Sequence, residues 1–498
     1  MRNSFLVLLL CLFAKVNAQN DQDVMRYSQT GIGGDARFVG MAGSFGALGA
    51  NLSAVNYNPA GLGLYLKGEW NVTGGMRFGT VTADHYGTVN KDYKSNLVIP
   101  QMGFVKAFEQ VNPYTTDREK KRHKDWSRRT AFALSYNKLA NFNYNTTIQA
   151  DVYNTSITHD FVKQANGHTN QQLNSFYEGL AWNSWLINEN AGSTTSYWAM
   201  VDPDVTVKQT KTISVVGGMG EYSFALSHAV DNKIYIGGSL NVVRAKYTYD
   251  GKHEETDTKD SITYFKTMYF EEVIQSSGVG VNLKLGAIYR VNPSWRLGIS
   301  LHTPTRLSMT DTYQDVCYAK YDSDSITPSV INGKEFTSSD TGRFRYKVVT
   351  PLRSTASIAY IPNKFFAMNV DYEYVNYSQG SLQSTPMVFT DVNRGIRSNY
   401  KSTGNLRIGM EANVKPVILR AGFASYGSPF GDMFSGKYVR NTYSIGAGVK
   451  RETNFYFDLA IAVTQWKENY YLYNSSLINA TKLKFNTTSI IATIGRKF

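Results

Sequence analysis

The feature that most constrains this chain is a strict two-residue alternation of apolar and polar side chains, repeated in many segments. Residues 454–466 are the clearest case. One face of this segment is wholly apolar and consists of Phe455, Phe457, Leu459, Ile461 and Val463. The opposite face carries Asp458, and two other alternating segments place Arg407, Glu411 and Arg420 on the minor face. This period indicates β-strands, and charges on the minor face predict strands that lie between lipid and a polar lumen.

Such strands predict an all-β fold, a transmembrane antiparallel β-barrel of about 14 strands, because only a closed sheet leaves no unpaired backbone group in lipid. No segment approaches the ~18 consecutive apolar residues of a membrane helix. The mean hydropathy of -0.32 by itself indicates a soluble protein. The 34 Tyr and 26 Phe residues and the alternation favour the barrel instead. A soluble sandwich would rarely bury Arg, Lys and Glu on an inner face.

The breaks between strands alternate in length. Short turns fall at residues 230–232, 292–294, 362–363, 415–416 and 452–453, and long connections separate them. The longest connection is predicted at 139–210. Since outer-membrane barrels have short periplasmic turns and long outer loops, this pattern places both termini on the periplasmic side. The barrel is predicted to cover residues 67–498 and to end on Phe498.

The first eighteen residues have the pattern of a secretory signal peptide. Arg2 precedes a short apolar run, and Ala18 ends a cleavage site. The run is too short to cross a membrane, so we expect residues 1–18 to be removed. Their removal leaves Cys317 as the single cysteine, and therefore no internal disulfide is expected.

Residues 19–66, named the hatch below, differ from the rest of the chain. The part from Gly31 to Gly63 is rich in Gly and Ala and carries almost no charge. Glycine at this density lets the backbone pack closely against its surroundings, at an entropic cost that a surface loop has no reason to bear. The sequence therefore predicts that the hatch lies inside the barrel lumen.

The charge of the chain narrows the possible partners. The formal net charge is +13, or +11 once Arg2 and Lys15 are removed. The basic residues are spread over strands and loops without forming a stripe, so we expect outer-membrane lipid and lipopolysaccharide as partners and no nucleic acid. The seven His residues form no H-x-x-H pair, and no nucleophile motif occurs. We expect a monomer that is not an enzyme and has no catalytic residue, no cofactor and no metal.

Two groups of apolar residues are candidate ligand-binding residues. In the hatch they are Phe38, Met41, Phe45 and Leu48, which would supply the floor of an apolar pocket. In the connection 139–210 they are Phe176, Leu180, Trp182 and Trp185. The loop residues have two interpretations: a helix that packs on the rim of its own barrel, or a landing site for a hydrophobic ligand.

Two further sequence features resemble a known family. The hatch ends in N-P-A-G (Asn58, Pro59, Ala60 and Gly61), and residues 405–423 and 443–463 are similar to closing hairpins of the FadL/TodX family of outer-membrane transporters. The resemblance covers essentially the whole mature chain. It implies a fourteen-stranded barrel with a lumen plugged by a hatch. It also implies passive passage of long-chain fatty acids or aromatic compounds, with sideways exit through a gap in the wall near a kinked strand.

The resemblance leaves two functions open. The first is transport of small hydrophobic molecules across the outer membrane of a Gram-negative cell. The alternative is a carrier or interaction component of a protein secretion or surface-anchoring system, since a branch of the family moves proteins rather than lipids. An apolar pocket would favour the first, and co-purification with a much larger barrel would favour the second.

Overall fold

The computed structural model describes residues 21–110, 128–322, 331–338, 341–385, 388–431, 438–450, 454–473 and 478–498. The signal peptide predicted for residues 1–18 lies outside the described residues. The hatch is described from Asp21 onward.

The wall of the molecule is a closed antiparallel barrel of fourteen strands, which confirms the fold predicted from the sequence. The first and last strands close the barrel, in register from Glu69–Lys497 to Asp84–Lys482. The strands are β1 Glu69–His85, β2 Thr88–Gln110, β3 Arg128–Asn141 with Tyr144–Tyr153, β4 Thr206–Val230, β5 Ile234–Thr256, β6 Phe265–Arg290, β7 Trp295–His302 with Arg306–Tyr321, β8 Gly342–Val349 with Arg353–Tyr360, β9 Phe366–Asn376 with Ser381–Gln383, β10 Ser402–Val414, β11 Val417–Tyr426, β12 Arg440–Lys450, β13 Phe455–Tyr470 and β14 Thr481–Lys497.

The helices lie in the hatch and in the outer connections. They are α1 Asp21–Ser28, α2 Ala36–Gly40, α3 Ile157–Ala165, α4 Glu178–Asn183 and α5 Thr390–Asn399, with 3-10 turns at Ser53–Asn56, Pro59–Leu64, Asn170–Gln172 and Tyr377–Gln379. Short strands Ile187–Glu189 and Tyr197–Ala199 pair with each other, and Glu335–Thr337 pairs with β7. No helix among the described residues is long and apolar enough to span a membrane.

The two faces of the wall have the composition that the alternation predicts. Phe457 and Leu459 point outward and are 50% and 41% exposed, whereas Asp458 between them is 4% exposed. Arg407 and Arg420 are likewise buried on the lumen side. The register of these strands is therefore confirmed, and the outer face is an apolar belt that requires lipid.

Both boundaries predicted for the outer connection, residues 139 and 210, are wrong. β3 continues to Tyr153 and β4 begins at Thr206, so the connection comprises only residues 154–205. Above the lipid, the outside of a strand meets water while its inside meets the outer-loop structure. The apolar side chains of this extension, such as Ile148 and Val152, consequently face inward and are fully buried. The strand ends were predicted on the assumption that apolar side chains face outward. This assumption does not hold in this part of the wall.

Candidate functional site

The candidate site is the lumen, where the hatch folds around Asp35. This residue caps α2: its Oδ1 accepts a hydrogen bond from Phe38 N at 2.8 Å, and its Oδ2 accepts one from Asn51 Nδ2 at 2.7 Å. Its own N–H donates to Ser53 Oγ at 2.7 Å. A short, mostly irregular segment cannot satisfy its backbone groups through regular ladders, so one buried carboxylate organises the turns around it.

Charged side chains join the hatch to one side of the wall. Arg37 of α2 donates two hydrogen bonds to Glu411 of β10, at 2.8 and 2.9 Å. Glu411 also accepts from Arg420 of β11 at 2.7 Å, and Arg420 donates to Asp458 of β13 at 2.6 Å. These four residues are named the ionic chain. Two carboxylates and two guanidinium groups balance each other, which offsets the cost of burying them.

Backbone groups of the hatch dock on the same side of the wall, on β9, which pairs with β10. Asp371 of β9 accepts hydrogen bonds from Phe45 N and Gly46 N, at 3.0 and 3.1 Å. A Cβ on Gly46 would lie 1.9 Å from Ser357 Oγ, so only glycine permits this approach. Gly40 lies against Gly446 of β12, and a Cβ on Gly40 would lie 3.2 Å from Gly446 Cα. The expectation that glycine allows close packing of the hatch is confirmed at these positions.

The predicted hatch motif, Asn58, Pro59 and Ala60, lies against β5 and β6. Asn58 caps the 3-10 turn that begins at Pro59, and its Oδ1 accepts a hydrogen bond from Ala60 N at 3.1 Å. Its Nδ2 donates to Gly46 O at 2.7 Å. A Cβ on Gly286 would lie 1.9 Å from Asn58 Oδ1, and one on Gly237 would lie 2.6 Å from Pro59 C. The motif therefore caps the 3-10 turn and also packs directly against the backbone of two glycines in the wall.

The four candidate ligand-binding residues of the hatch lie together. Phe38, Met41 and Phe45 are fully buried and Leu48 is 5% exposed, in one apolar cluster with Ala359 of the wall. The rings of Phe38 and Phe45 are 5.5 Å apart. In this arrangement they pack against each other, and a ligand reaches them only if the hatch moves.

Three of the four candidate residues of the outer loop belong to a different cluster, and Phe176 lies outside it. Leu180 of α4 is 2% exposed, and Trp182 and Trp185 pack against the same buried side chains. Phe176 is partly exposed, and its ring is 4.9 Å from that of Tyr313 in β7. This segment packs against its own barrel, and whether it also receives a ligand stays a prediction. The helix begins at Glu178 rather than earlier, because Asn174 forms a turn whose Oδ1 accepts from Phe176 N at 3.0 Å.

This second cluster fills the outer half of the lumen and is named the upper cluster. It contains α1 through Val24, Met25 and Tyr27, α3 through Phe161, and inward side chains of several strands including Phe270. Within it Tyr177 donates to Asp160 at 2.7 Å, and burial raises the pKa of both groups above their usual values. The structure thus places the hatch group and three residues of the loop group in separate apolar clusters.

A discontinuity in the wall was missed by residue-level reasoning. The ladder between β2 and β3 runs from Gln110–Arg128 to Gln101–Asn137 and ends there. β3 then bulges at Leu139 and breaks at residues 142–143. On β4 the break is matched by Gly217, whose φ of +139° favours glycine and whose N–H donates to Asn143 at 2.7 Å. The Gly217-Gly218 pair inside a strand was the available sequence signal.

Above the break, side chains replace the backbone ladder. Asp92 of β2 accepts from Thr147 N at 2.7 Å and from Thr147 Oγ1 at 3.3 Å, and Lys94 donates to Asn145 at 2.8 Å. The two facing segments, residues 88–100 of β2 and residues 139–153 of β3, are together named the seam. The hatch touches its lower end, where Gly31 N donates to Leu139 O at 2.7 Å. A Cβ on Gly33 would lie 1.8 Å from Lys138 O.

Comparison with solved structures identifies the architecture. A FadL homologue from Pseudomonas aeruginosa matches over 95% of this chain and 100% of its own, at 12% identity and a TM-score of 0.53. The toluene transporter TodX of Pseudomonas putida matches over 94% and 99%, at 12% identity and a TM-score of 0.52. The chain has the FadL fold. A FadL-fold barrel with an apolar outer belt belongs in the outer membrane.

No protein-family model and no curated protein matches the sequence. Among the residues that the structure describes, no group of three or more His, Cys, Asp or Glu side chains could hold a metal ion. The FadL fold, the hatch and the seam are therefore the observations on which a function can be argued.

Proposed function

We propose that this protein carries small hydrophobic molecules, long-chain fatty acids or aromatic compounds, passively across the outer membrane. The observation that carries the proposal is the contact between the hatch and the seam, at Gly31 and Leu139. The hatch touches the wall where the backbone ladder between β2 and β3 is interrupted. A movement of the hatch, when a solute enters the lumen, would therefore be coupled to an opening in the wall. The names of the two structural neighbours, a FadL homologue and a toluene transporter, support the substrate class.

The route begins at the outer loop. A hydrophobic solute crosses a lipopolysaccharide layer poorly, so capture outside the membrane has to precede entry. Phe176 is the candidate for first contact, since its ring is partly exposed beside the upper cluster. Trp182 and Trp185 lie behind it, and Leu180 holds the helix to the rim.

The solute next passes through the upper cluster to the hatch. Apolar and aromatic side chains there can exchange contacts with a solute at little cost, because neither state leaves a polar group unpaired. Burying ten methylenes is worth about 8 kcal/mol at ~0.8 kcal/mol per CH₂, before the costs of binding. A hatch movement that exposes Phe38, Met41, Phe45 and Leu48 would extend this apolar surface.

Release would occur sideways through the seam. Its bridges are the hydrogen bonds that the Asp92 carboxylate accepts from Thr147 and that the Lys94 ammonium group donates to Asn145, and they separate without breaking a continuous backbone ladder. The lateral path reaches the lipid at the lower end of the seam, where the outward side chains of Leu97 and Ile99 are apolar and exposed. No step in this route needs an energy source, because the solute moves down its own gradient.

The experiment measures uptake of a labelled long-chain fatty acid and of toluene, in a host strain that lacks its own transporter. The expected result is uptake that depends on the full chain. Uptake no faster than with an empty vector, together with co-purification of a much larger barrel, would instead favour the protein-secretion alternative.

A cross-link tests the exit. Asp92→Cys with Thr147→Cys places two thiols where the side chains now touch, and the native Cys317 is buried. Oxidation is expected to lower uptake about tenfold, with recovery under reductant, as for a locked gate. The matched control is Thr248→Cys with Gln275→Cys, a directly paired site on the continuous β5–β6 ladder. Equal loss in both variants would contradict sideways exit at the seam.

A further inference from the structure

Two cavities open on the outside of the wall and lie one above the other on β4 and β5. The lower cavity, of about 220 Å³, is lined by apolar side chains including Phe224, Leu240 and Leu283. The upper cavity, of about 140 Å³, is lined by Lys138, Arg244 and Lys246 with two tyrosines. The register places the two cavities in line, since Phe224 pairs with Leu240 and, four residue pairs higher, Gly220 pairs with Arg244.

Glycines make the floor of the upper cavity. A Cβ on Gly220 would lie 2.6 Å from the Tyr136 ring, so that ring covers a position without a side chain. A Cβ on Gly218 would lie 3.2 Å from Lys138 Nζ, so the ammonium group lies over bare backbone. Tyr136 and Tyr222, whose rings are 5.0 Å apart, form the lower rim.

The three cations of this cavity have no acidic counterpart. Lys138, Arg244 and Lys246 form no ion pair with the described residues. The nearest acid on the outer face of β5 is Asp250, four positions beyond Lys246 and about 13 Å along the strand at ~3.3 Å per residue. This pocket therefore has an uncompensated positive charge.

The height of the cavities in the membrane identifies the ligand class. The outward side chains of β5 are apolar from Ile234 to Val242 and become cationic at Arg244. The cationic end lies on the side of the long connections, which is the outer leaflet. Tyrosines at the boundary are typical of the level of lipid headgroups.

We propose that these cavities together bind one phosphorylated acyl lipid of the outer leaflet, of the lipid A class. An acyl chain lies in the lower cavity and a phosphate between Lys138, Arg244 and Lys246. Most of the selectivity comes from the phosphate, because an acyl chain gains little by leaving a lipid environment that is equally apolar. The site is independent of what the lumen transports.

The test is lipid binding to the detergent-purified full chain, measured by native mass spectrometry. The probes are lipid A with both phosphates, the same lipid after enzymatic dephosphorylation, and inorganic phosphate. Arg244→Ala with Lys246→Ala is expected to weaken binding of phosphorylated lipid A about 30-fold, at roughly fivefold for each cation. The exchange Arg244→Lys with Lys246→Arg should retain most of the affinity, which separates charge from local structure.

The matched control is Arg306→Ala with Arg345→Ala. Both side chains are exposed on other strands, and the register places Arg345 at the height of Lys246. This control removes the same charge without touching a cavity, and its binding should stay within about threefold of the unaltered chain.

Three results would overturn the proposal. Equal losses in both alanine pairs would indicate general surface charge. Equal binding of dephosphorylated lipid A would indicate the apolar groove alone. Full displacement of lipid A by inorganic phosphate would indicate a free-anion site rather than a lipid site.

Discussion

The two halves of the lumen are filled by opposite means. In the half near the periplasm, the hatch is held by directional contacts: the ionic chain from Arg37 to Asp458, and the backbone hydrogen bonds to Asp371. In the outer half, the upper cluster is held by apolar and aromatic side chains from α1, α3, α4 and the wall.

This difference suits the two halves to different tasks: the inner half positions the hatch, and the outer half captures the solute. Directional contacts define one docked position, because each donor has one acceptor and loses most of its bond energy when displaced. Apolar contacts tolerate rearrangement and can be replaced by an apolar solute. The outer half is therefore suited to admit a solute, and the inner half is suited to switch between docked and undocked states.

The largest expected effect is the loss of Glu411 from the ionic chain. Glu411→Ala leaves the half-buried Arg37 and the buried Arg420 without their shared carboxylate, which should destabilise hatch docking by about 3 kcal/mol. The measurement is hydrogen exchange of hatch peptides, which should become much faster while the barrel peptides stay protected. The control is Asp391→Ala, since its pair with Arg394 is 82% and 70% exposed and should contribute below ~1 kcal/mol. Unchanged hatch protection would show that the ionic chain does not fix the hatch.

A smaller effect is expected at a glycine contact. Gly46→Ala puts a methyl group 1.9 Å from Ser357 Oγ, and this overpacking should cost about 1–3 kcal/mol of docking free energy. Gly74→Ala is the control, because a Cβ there meets nothing within 4 Å. The same exchange measurement compares the two. If they behaved alike, close packing would not explain the glycine content of the hatch.

The smallest effect is expected in the outer half. Phe176→Ala removes a partly exposed ring that packs against the Tyr313 ring at an interplanar angle of 60°, which should cost only ~0.5–1.5 kcal/mol of capture free energy. The concentration for half-maximal uptake should rise a few-fold at an unchanged maximal rate. Trp198→Ala, at an exposed aromatic position in the same connection, is the comparison. A fall in the maximal rate instead would place Phe176 in a later step.

Sequence reasoning worked best where a rule is local. Phe457 and Asp458 were assigned to opposite faces from alternation alone, and their exposures of 50% and 4% confirm it. It failed at residues 139–153, where the strand continues but its apolar side faces inward. Phe38 and Phe176 were predicted in two separate groups, and the structure places Phe38 in the apolar cluster of the hatch and Phe176 against Tyr313. Whether they bind a ligand stays a prediction.

By itself, the sequence determined that this chain forms a lipid-embedded barrel with a glycine-rich segment inside it, because alternation and glycine content act over neighbouring residues. Only the tertiary structure decided which wall residues hold the hatch, and where the wall is interrupted. Ala36, for example, donates to Thr493, 457 positions away. The partner of such a group is set by barrel closure, which brings the first strand to the last, and no pattern within either segment records it.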